Sequence, residues 1–252
     1  MRYVILLSYD GTAYGGWQVQ KNKITVQQKV EEAAAQVFGK KTSVIASGRT
    51  DSGVHAAGQV CHFDAETNIP PEKIADAWNM RLPEDISVLK SASAPEGFDA
   101  TRSAKKKTYL YKMYLSPRRN PLKDRYSVWV KVSADLAKLQ YISGAITGKH
   151  DFKAYCKSGS QVKTTVREVY SVDVKTLPSS FGTDVEIRVC GNGFLYNMVR
   201  TIAGTMLYFA QGSLTEDDVK NSLEKCDRSS VGKTMPAKGL TLESVDYGVK
   251  LF

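Results

Sequence analysis

The sequence predicts an α+β fold with two similar subdomains, in which helices cover mainly antiparallel sheets and a cleft lies between the subdomains. Three observations lead to this fold class. Short runs of β-branched and aromatic residues alternate with segments of helical spacing, the strand-like runs end at turn residues, and both halves of the chain have a similar order of elements. We expect residues 1–104 to form the first subdomain and residues 105–252 the second.

The first half predicts a strand, a helix, two strands and a second helix. The β-rich run from Arg2 to Tyr9 ends at the turn signal Asp10-Gly11. Apolar residues then recur at helical spacing, with Thr25 as the N-cap and Gly39 beyond the last turn. The other elements are strands over 43–46 and 54–63, which flank the polar segment SGRTDSG, and a helix that starts at Pro70-Pro71.

The second half begins with an alternating run over 105–115, in which Tyr109, Tyr111 and Met113 share one face of a strand. A long apolar helix is expected over 194–210, ended by Gly212. The remaining predicted elements are a helix over 133–146, strands over 165–175 and 183–191, and a last helix over 215–226 that Thr215 and Asp218 cap.

The balance of charges favours a polyanionic partner. The chain has 35 Lys and Arg residues against 26 Asp and Glu residues, a formal net charge of +9, and a sequence pI near 9.2. Nucleic acid suits this charge, although an ordinary solvated basic surface explains it as well. The apolar run 3–7 is too short for a signal segment and no stretch is long enough to span a membrane, so we expect a cytoplasmic protein without a membrane contact.

The segment GRTDSGVHA concentrates polar groups in a tight turn. Its carboxylate, Asp51, stands between two glycines, with Arg49 before it and His55 after it. The pattern alone also fits a structural turn in which Asp51 bonds its own backbone. Of the three histidines only His55 and His62 are close in sequence, and no carboxylate pair stands at ligand spacing, so we expect no metal site.

GRTDSGVHA closely resembles GRTDAGVHA, the signature of tRNA pseudouridine synthases of the TruA type, with Ser52 in place of another small residue. Other segments resemble the same family in order and spacing: SYDGTAYGGWQ, FDATRSAKKKTYLY, HDF, GNGFLYNMVR and AKGLTLESVDY. Together they extend over nearly the whole chain. The sequence is therefore identified as a member of this family, and the resemblance implies an RNA-modifying isomerase with its active site in the cleft and no cofactor.

The resemblance also implies roles for single residues. Asp51 corresponds to the catalytic aspartate, Tyr109 to the aromatic residue that faces the target base, and Arg200 to the basic partner of the carboxylate. On the residues alone, Tyr109 is better explained as a cross-strand packing residue. Arg200 stands among apolar residues of the predicted long helix, which favours a buried pair with Asp51.

Several basic residues are candidates for contacts to RNA. Arg49 would act on the RNA backbone near an unstacked nucleotide. The residues expected to attract phosphates are Lys105, Lys106 and Lys107, with Arg102, Arg118 and Arg119 nearby. A solvated run of charges is the alternative for these residues. The resemblance implies a homodimer that modifies uridines on the 3′ side of the anticodon stem and loop of tRNA, with no DNA partner.

Three other functions remain open at this point. A paralogue would apply the same chemistry to a different RNA. A nucleosidase or glycosylase would also use a carboxylate at C1′ but would release the base, and no second acid stands near Asp51 as its proton donor. A non-catalytic RNA-binding protein would explain the charge but would leave the GRTD segment and Arg200 without a purpose.

Overall fold

The computed structural model describes residues 1–131, 133–157 and 162–252, which form two compact units. The first unit contains Met1–Lys107 and Thr241–Phe252, and the second contains Thr108–Leu240. The boundary predicted from the sequence lies after residue 104, with all later residues in the second subdomain. The main difference lies in the C-terminal segment, which belongs to the first unit because its strand pairs there.

Strands and helices alternate along most of the described chain. The strands are β1 (Arg2–Tyr9), β2 (Ile45–Ala46), β3 (His55–Asp64), β4 (Ile86–Ser93), β5 (Lys106–Leu115), β6 (Val128–Val130), β7 (Gly148–Asp151), β8 (Val166–Ser179), β9 (Gly182–Gly191) and β10 (Leu240–Asp246). The helices are α1 (Val26–Phe38), α2 (Ile74–Asn79), α3 (Leu136–Ile146), α4 (Met198–Ala210) and α5 (Glu216–Glu224).

In the first unit β3 is the central strand. It pairs antiparallel with β1 and β2 and parallel with β10, while β4 pairs antiparallel with the other edge of β1. Because neighbours cover it, eight of its ten residues are buried. The segment after β10 completes the core: Tyr247 packs in one cluster with Val4, Val60 and Phe98, and its hydroxyl donates to the Ala100 carbonyl at 2.8 Å.

In the second unit β8 and β9 form a long antiparallel hairpin, which lies between β7 and β5, and β6 pairs in parallel with β5. Helix α4 is buried at eleven of its thirteen residues. Neither α4 nor any other helix of the described ranges is long and apolar enough to cross a membrane. The predicted α+β class is confirmed, since most strand pairs are antiparallel and helices pack beside them.

Local capping signals explain why two helices follow the prediction closely. Helix α1 begins after Thr25, whose side chain accepts a backbone N–H, and it ends at Gly39, which has a φ of 67°. Helix α5 begins with a capping box between Thr215 and Asp218. Helix α4 starts at residue 198 and not at 194, because Asn197 adopts a left-handed φ of 66° before it.

The sequence pattern did not predict β4, β6, β7 and β10. Two consecutive exposed residues, Leu89 and Lys90, interrupt the alternation of β4. Its pairing with β1, like that of β10 with β3, joins segments that are far apart in sequence. A local sequence pattern does not reveal pairings between distant segments. The strand predicted over 43–46 is also shorter in the structure, where β2 contains two residues.

His62 of β3 is a buried titratable group. Its Nδ1 accepts the backbone N–H of Ala100 at 3.0 Å, which requires a ring nitrogen without a proton. Burial lowers the pKa of His62, and the charge of Arg2 lowers it further, while the carboxylates of Asp99 and Asp64 act in the opposite direction. The folded chain therefore resists protonation at this position.

We predict that the free energy of unfolding decreases as the pH falls below about 6.5, where the unfolded chain binds a proton that folded His62 does not. The substitution His62→Asn, whose amide oxygen can still accept from Ala100, should make this decrease shallower. Urea denaturation of both proteins between about pH 8 and pH 5 measures the effect. Equal pH dependence in the two proteins would contradict the assignment.

Candidate active site

Asp51 lies in the loop that joins β2 to β3, and we call residues 47–54 the aspartate loop. The Asp51 side chain is half-buried. Its backbone carbonyl accepts the Val54 N–H at 3.1 Å, so the loop closes on itself. The Thr50 carbonyl accepts the Trp17 N–H at 3.0 Å, and the Gly53 N–H donates to the Tyr14 carbonyl at 3.3 Å. The segment 14–17 is therefore bound to both sides of Asp51.

Close approach of the segment 14–17 to the aspartate loop explains the glycine at position 16. Gly16 has a φ of 93°, and a Cβ there would lie 2.6 Å from the Thr50 carbonyl oxygen and 3.0 Å from the Asp51 carbonyl carbon. Only glycine fits this position without displacing the loop backbone. The hydroxyl groups of Tyr9 and Thr50 lie 2.8 Å apart, which adds a buried hydrogen bond to the same turn.

Two side chains hold the start of the aspartate loop. Gln59 of β3 is fully buried, and its amide donates to the Gly48 carbonyl at 2.8 Å and accepts from the Ser47 hydroxyl at 2.5 Å. The ammonium of Lys107 donates to the Ser47 carbonyl at 2.6 Å. Both carbonyl groups that precede Arg49 thus have a fixed partner. The Lys107 ammonium lies against the aspartate loop and does not point into solvent.

The other basic candidates of the first unit have different surroundings. Arg49 is exposed, and its side chain has no hydrogen bond or ion pair to any other described residue. Lys105 and Lys106 are exposed in the same way, whereas Lys107 is half-buried.

His55 is buried, and its Nδ1 accepts the Gly11 N–H at 3.1 Å. In the described part of the chain, no cluster of three or more His, Cys, Asp or Glu side chains could hold a metal ion.

In the second unit, the guanidinium of Arg200 is held in one orientation. Its Nε donates to the Met235 carbonyl at 2.7 Å, and its Nη1 donates to Asn197 Oδ1 at 2.8 Å. Asn197 reaches this position because it takes the left-handed conformation directly before α4. The prediction that Arg200 lies on an otherwise apolar helix agrees with the structure, in which its neighbours on α4 are buried.

Tyr109 and Tyr111 lie on one face of β5, as the alternation predicts. Tyr109 is buried and makes an edge-to-face contact with Phe194, with ring centroids 5.2 Å apart and an interplanar angle of 86°. The Tyr111 hydroxyl donates to the Pro236 carbonyl at 2.9 Å, and burial raises the pKa of Tyr111 far above its ordinary value. The adjacent carbonyls of Met235 and Pro236 therefore bind Arg200 and Tyr111.

Gln59 and Asn197 were not predicted from the sequence, although each has a recognisable sequence signal. Gln59 interrupts the apolar run HAAGQVCHF, and a polar side chain in a buried strand must find a hydrogen-bond partner. Asn197 stands just before the apolar helix that carries Arg200, at a place where asparagine readily adopts a left-handed turn. Neither signal names the partner, which depends on the folded chain.

Comparison with known proteins decides the family. A family model described as tRNA pseudouridine synthase matches residues 5–101 and 143–248. The chain belongs to the tRNA pseudouridine synthase family. It is 42% identical over 243 residues to tRNA pseudouridine synthase A of Ruminiclostridium cellulolyticum, covering 96% of this chain and 98% of that one. It is 43% identical over 252 residues to tRNA pseudouridine synthase A of Shouchella clausii, covering 100% of this chain and 95% of that one.

The synthase resemblance inferred from GRTDSGVHA and the other segments is therefore confirmed. Asp51 falls in the first matched range and Arg200 in the second, whereas Tyr109 lies between them. A solved archaeal box H/ACA sRNP complex of Nop10 and Cbf5 is similar over 95% of this chain and 59% of that chain, at 12% identity and a TM-score of 0.39. This structural similarity is too weak to add to the family assignment.

We predict that Gln59→Leu lowers the free energy of unfolding by about 1–3 kcal/mol, because it leaves the Gly48 carbonyl without its buried donor and the Ser47 hydroxyl without its acceptor. Gln36→Leu is the matched control, since Gln36 is exposed on α1 and its substitution should change stability by less than about 0.5 kcal/mol. Urea denaturation of the two variants gives both values. Equal stability of the variants would show that the amide of Gln59 does not hold the aspartate loop.

Proposed function

We propose that this chain converts uridine to pseudouridine in tRNA, with Asp51 as the catalytic carboxylate and without a cofactor. The observation that carries the proposal is the aspartate loop itself: in a member of the tRNA pseudouridine synthase family, a half-buried carboxylate stands on a backbone that neighbouring segments fix from both sides. A carboxylate held in this way suits chemistry at a carbon centre, where small misplacements are costly.

The reaction breaks the bond between N1 of uracil and C1′ of ribose, turns the detached base, and forms a new bond from C5 to C1′. Bond cleavage places positive charge on the ribose. A carboxylate can stabilise this charge, bond to C1′, or remove a ribose proton, and each of these roles requires its ionised form. The same carboxylate must act before and after the base has turned, so the pocket has to retain the base.

Arg200 is proposed as the cation that keeps Asp51 ionised. A guanidinium beside a carboxylate favours its charged form and orients it through charge-assisted hydrogen bonds. Support comes from the way Arg200 itself is held, because bonds from Nε to the Met235 carbonyl and from Nη1 to Asn197 fix the plane of the group. A fixed guanidinium loses little freedom when it binds a further partner.

Tyr109 is proposed to face the target base. Its ring offers a flat surface on which uracil can stack, and its hydroxyl is of the right chemical kind to help move the proton from C5. The edge-to-face contact with Phe194 fixes the plane of the ring. Packing alone also explains a buried tyrosine at this position, so the two roles have to be separated by substitution.

The proposed substrate site is the anticodon arm of tRNA, on its 3′ side. Arg49, Lys105 and Lys106 are exposed cations of the first unit and are proposed to contact the RNA backbone. Lys107 is proposed instead to position the aspartate loop, because its ammonium donates to the Ser47 carbonyl. We also propose that the protein acts in the cytoplasm and that, as the resemblance to the family implies, it forms a homodimer.

The first test incubates the wild type and Asp51→Asn with unmodified tRNA, maps pseudouridine at each uridine and assays released uracil. We expect pseudouridine in the anticodon arm with the wild type, and a loss of turnover of about a thousandfold or more with the variant at unchanged tRNA binding. Free uracil would indicate a glycosylase. Binding of tRNA without any turnover by the wild type would indicate a non-catalytic RNA-binding protein, and pseudouridine elsewhere would indicate a different RNA target.

Arg200→Ala should lower kcat by about a hundredfold or more, because Asp51 loses the charge that favours its ionised form. Arg200→Lys keeps the charge but not the two fixed donors, and it should recover only part of the rate. Measurement of kcat against pH adds a second readout, since loss of the cation should move the acidic limb of the profile to higher pH. A near-normal rate for Arg200→Ala would remove this residue from the mechanism.

Tyr109→Phe separates stacking from proton transfer. If the ring alone is needed, this variant keeps KM and kcat close to the wild-type values, whereas Tyr109→Ala raises KM and lowers kcat. If the hydroxyl moves the C5 proton, Tyr109→Phe lowers kcat and leaves KM unchanged. We expect the second result, and rates measured with tRNA tritiated at C5 give the release of this proton directly.

Lys107→Ala should lower kcat by about tenfold to a hundredfold with little change in KM, because the aspartate loop loses one of the bonds that place Asp51. Lys107→Arg, which can still donate to the Ser47 carbonyl, should restore part of the rate. Lys105→Ala and Lys106→Ala are the matched comparison: each should raise KM and reduce the salt dependence of tRNA binding by about one unit of slope. A rise in KM for Lys107→Ala with unchanged kcat would assign it to phosphate binding instead.

A further inference from the structure

A strongly basic loop follows β5 in the second unit, and we call residues 116–127 the basic loop. Its sequence is SPRRNPLKDRYS, with four basic residues and one carboxylate, so its formal charge is +3. Two prolines restrict its backbone. Leu122, near the middle of the loop, is 93% exposed, and cations stand on both sides of it in the sequence.

The carboxylate of Asp124 fixes the basic loop from inside. It is buried, and its Oδ1 accepts from the Tyr114 hydroxyl at 3.0 Å and pairs with the Lys238 ammonium at 3.3 Å, while its Oδ2 pairs with Arg119 Nε. Burial alone would raise the pKa of Asp124, but the bonds from Arg119 and Tyr114 and the charge of Lys238 outweigh burial and lower it. The buried Tyr114 hydroxyl also accepts the Asn120 N–H at 2.9 Å.

A second set of bonds joins the basic loop to the end of the β8–β9 hairpin. The Lys123 ammonium lies 2.6 Å from each carboxylate oxygen of Asp184, and it donates to Ser179 at 3.3 Å. Gly182 allows this close packing, because a Cβ there would lie 2.0 Å from the Leu115 carbonyl oxygen. The loop is thus held at two points, so Leu122 is displayed by a fixed backbone.

These contacts distinguish three of the four cations of the basic loop. Arg119 and Lys123 neutralise carboxylates within the unit. Arg118 is exposed, and its guanidinium makes no hydrogen bond or ion pair within the described chain. A lone exposed leucine is common on protein surfaces, but here it stands on a rigid support in the same loop as an uncompensated guanidinium, four residues after it. An anionic partner with apolar faces matches this pair of features.

We propose that the basic loop is a tRNA-binding element, with Arg118 on a backbone phosphate and Leu122 against the face of an unstacked base or a ribose. Nucleotides combine a phosphate charge with apolar ring faces within a short distance, and proteins bind them with arginine and with inserted apolar side chains. The exposed Arg118 attracts the RNA backbone, and an unstacked base or a ribose supplies the apolar face against which Leu122 can pack. This proposal rests on the proposed function, which supplies the tRNA.

The test measures tRNA affinity by equilibrium binding, and KM and kcat by pseudouridine formation, for Arg118→Ala and Leu122→Ala. We expect each change to raise Kd and KM by about threefold to tenfold. The salt dependence of binding should lose about one unit of slope in Arg118→Ala and none in Leu122→Ala. Arg81→Ala and Leu89→Ala are matched controls, because both residues are exposed in the first unit, and they should bind and react like the wild type.

A third variant tests the support of the loop. Asp124→Asn removes the charge that holds Arg119 and Lys238, so it should raise Kd by at least as much as Arg118→Ala. Circular dichroism and thermal unfolding would establish that this variant is folded, and the two surface variants test the proposal if it is not.

The outcomes separate the two proposals. Wild-type affinity and KM in both surface variants, with active wild-type enzyme, would overturn the tRNA-binding role of the loop and leave the proposed function intact. A lower kcat at unchanged Kd would also overturn it, because the loop would then act on the reaction and not on binding. If the wild type forms no pseudouridine, the proposed function fails, and the Kd values alone decide whether the loop binds tRNA.

Discussion

The aspartate loop must keep a fixed backbone although its residues lie outside the strands. Its Ser47 N–H donates to the Val60 carbonyl of β3, and its other bonds come from side chains and from another loop: Lys107 binds the Ser47 carbonyl, Gln59 binds the Gly48 carbonyl, and the segment 14–17 binds the groups around Asp51. A buried backbone group without a partner costs about as much as a lost hydrogen bond. Each of these contacts therefore stabilises the fold and at the same time limits where the Asp51 carboxylate can stand.

A comparable constraint operates in the second unit through the segment 232–238. It packs directly against α4: a Cβ on Gly204 would lie 1.9 Å from the Lys233 carbonyl oxygen, so only glycine allows this contact. From this position its next carbonyls bind Arg200 and Tyr111, and its Lys238 pairs with Asp124. One stretch of irregular chain thus orients the proposed catalytic guanidinium and supports the basic loop. Irregular backbone can do this because its carbonyls are not already used in a ladder of hydrogen bonds.

The sequence predicted those parts of the structure that local chemistry decides. Caps at Thr25 and Thr215 fixed helix ends, and turn residues placed Asp51 in a loop between strands. It did not predict β4 and β10, whose partners are distant in the chain, or the return of the C-terminal segment to the first unit. The GRTDSGVHA segment identified the family, but the residues that hold the loop, above all Gln59, could be found only from the fold.

The cations show most clearly why composition alone could not locate the RNA-binding surface. A net charge of +9 counts every basic residue equally, yet the structure separates them by what they touch. Lys123 and Arg119 are occupied by carboxylates, and Lys107 by a backbone carbonyl. A cation that already has a buried or geometrically fixed partner would have to break that bond before it could bind a phosphate. An exposed guanidinium such as that of Arg118 only has to release bound water. The RNA surface is therefore better sought among basic side chains without an internal partner than in the densest run of basic residues.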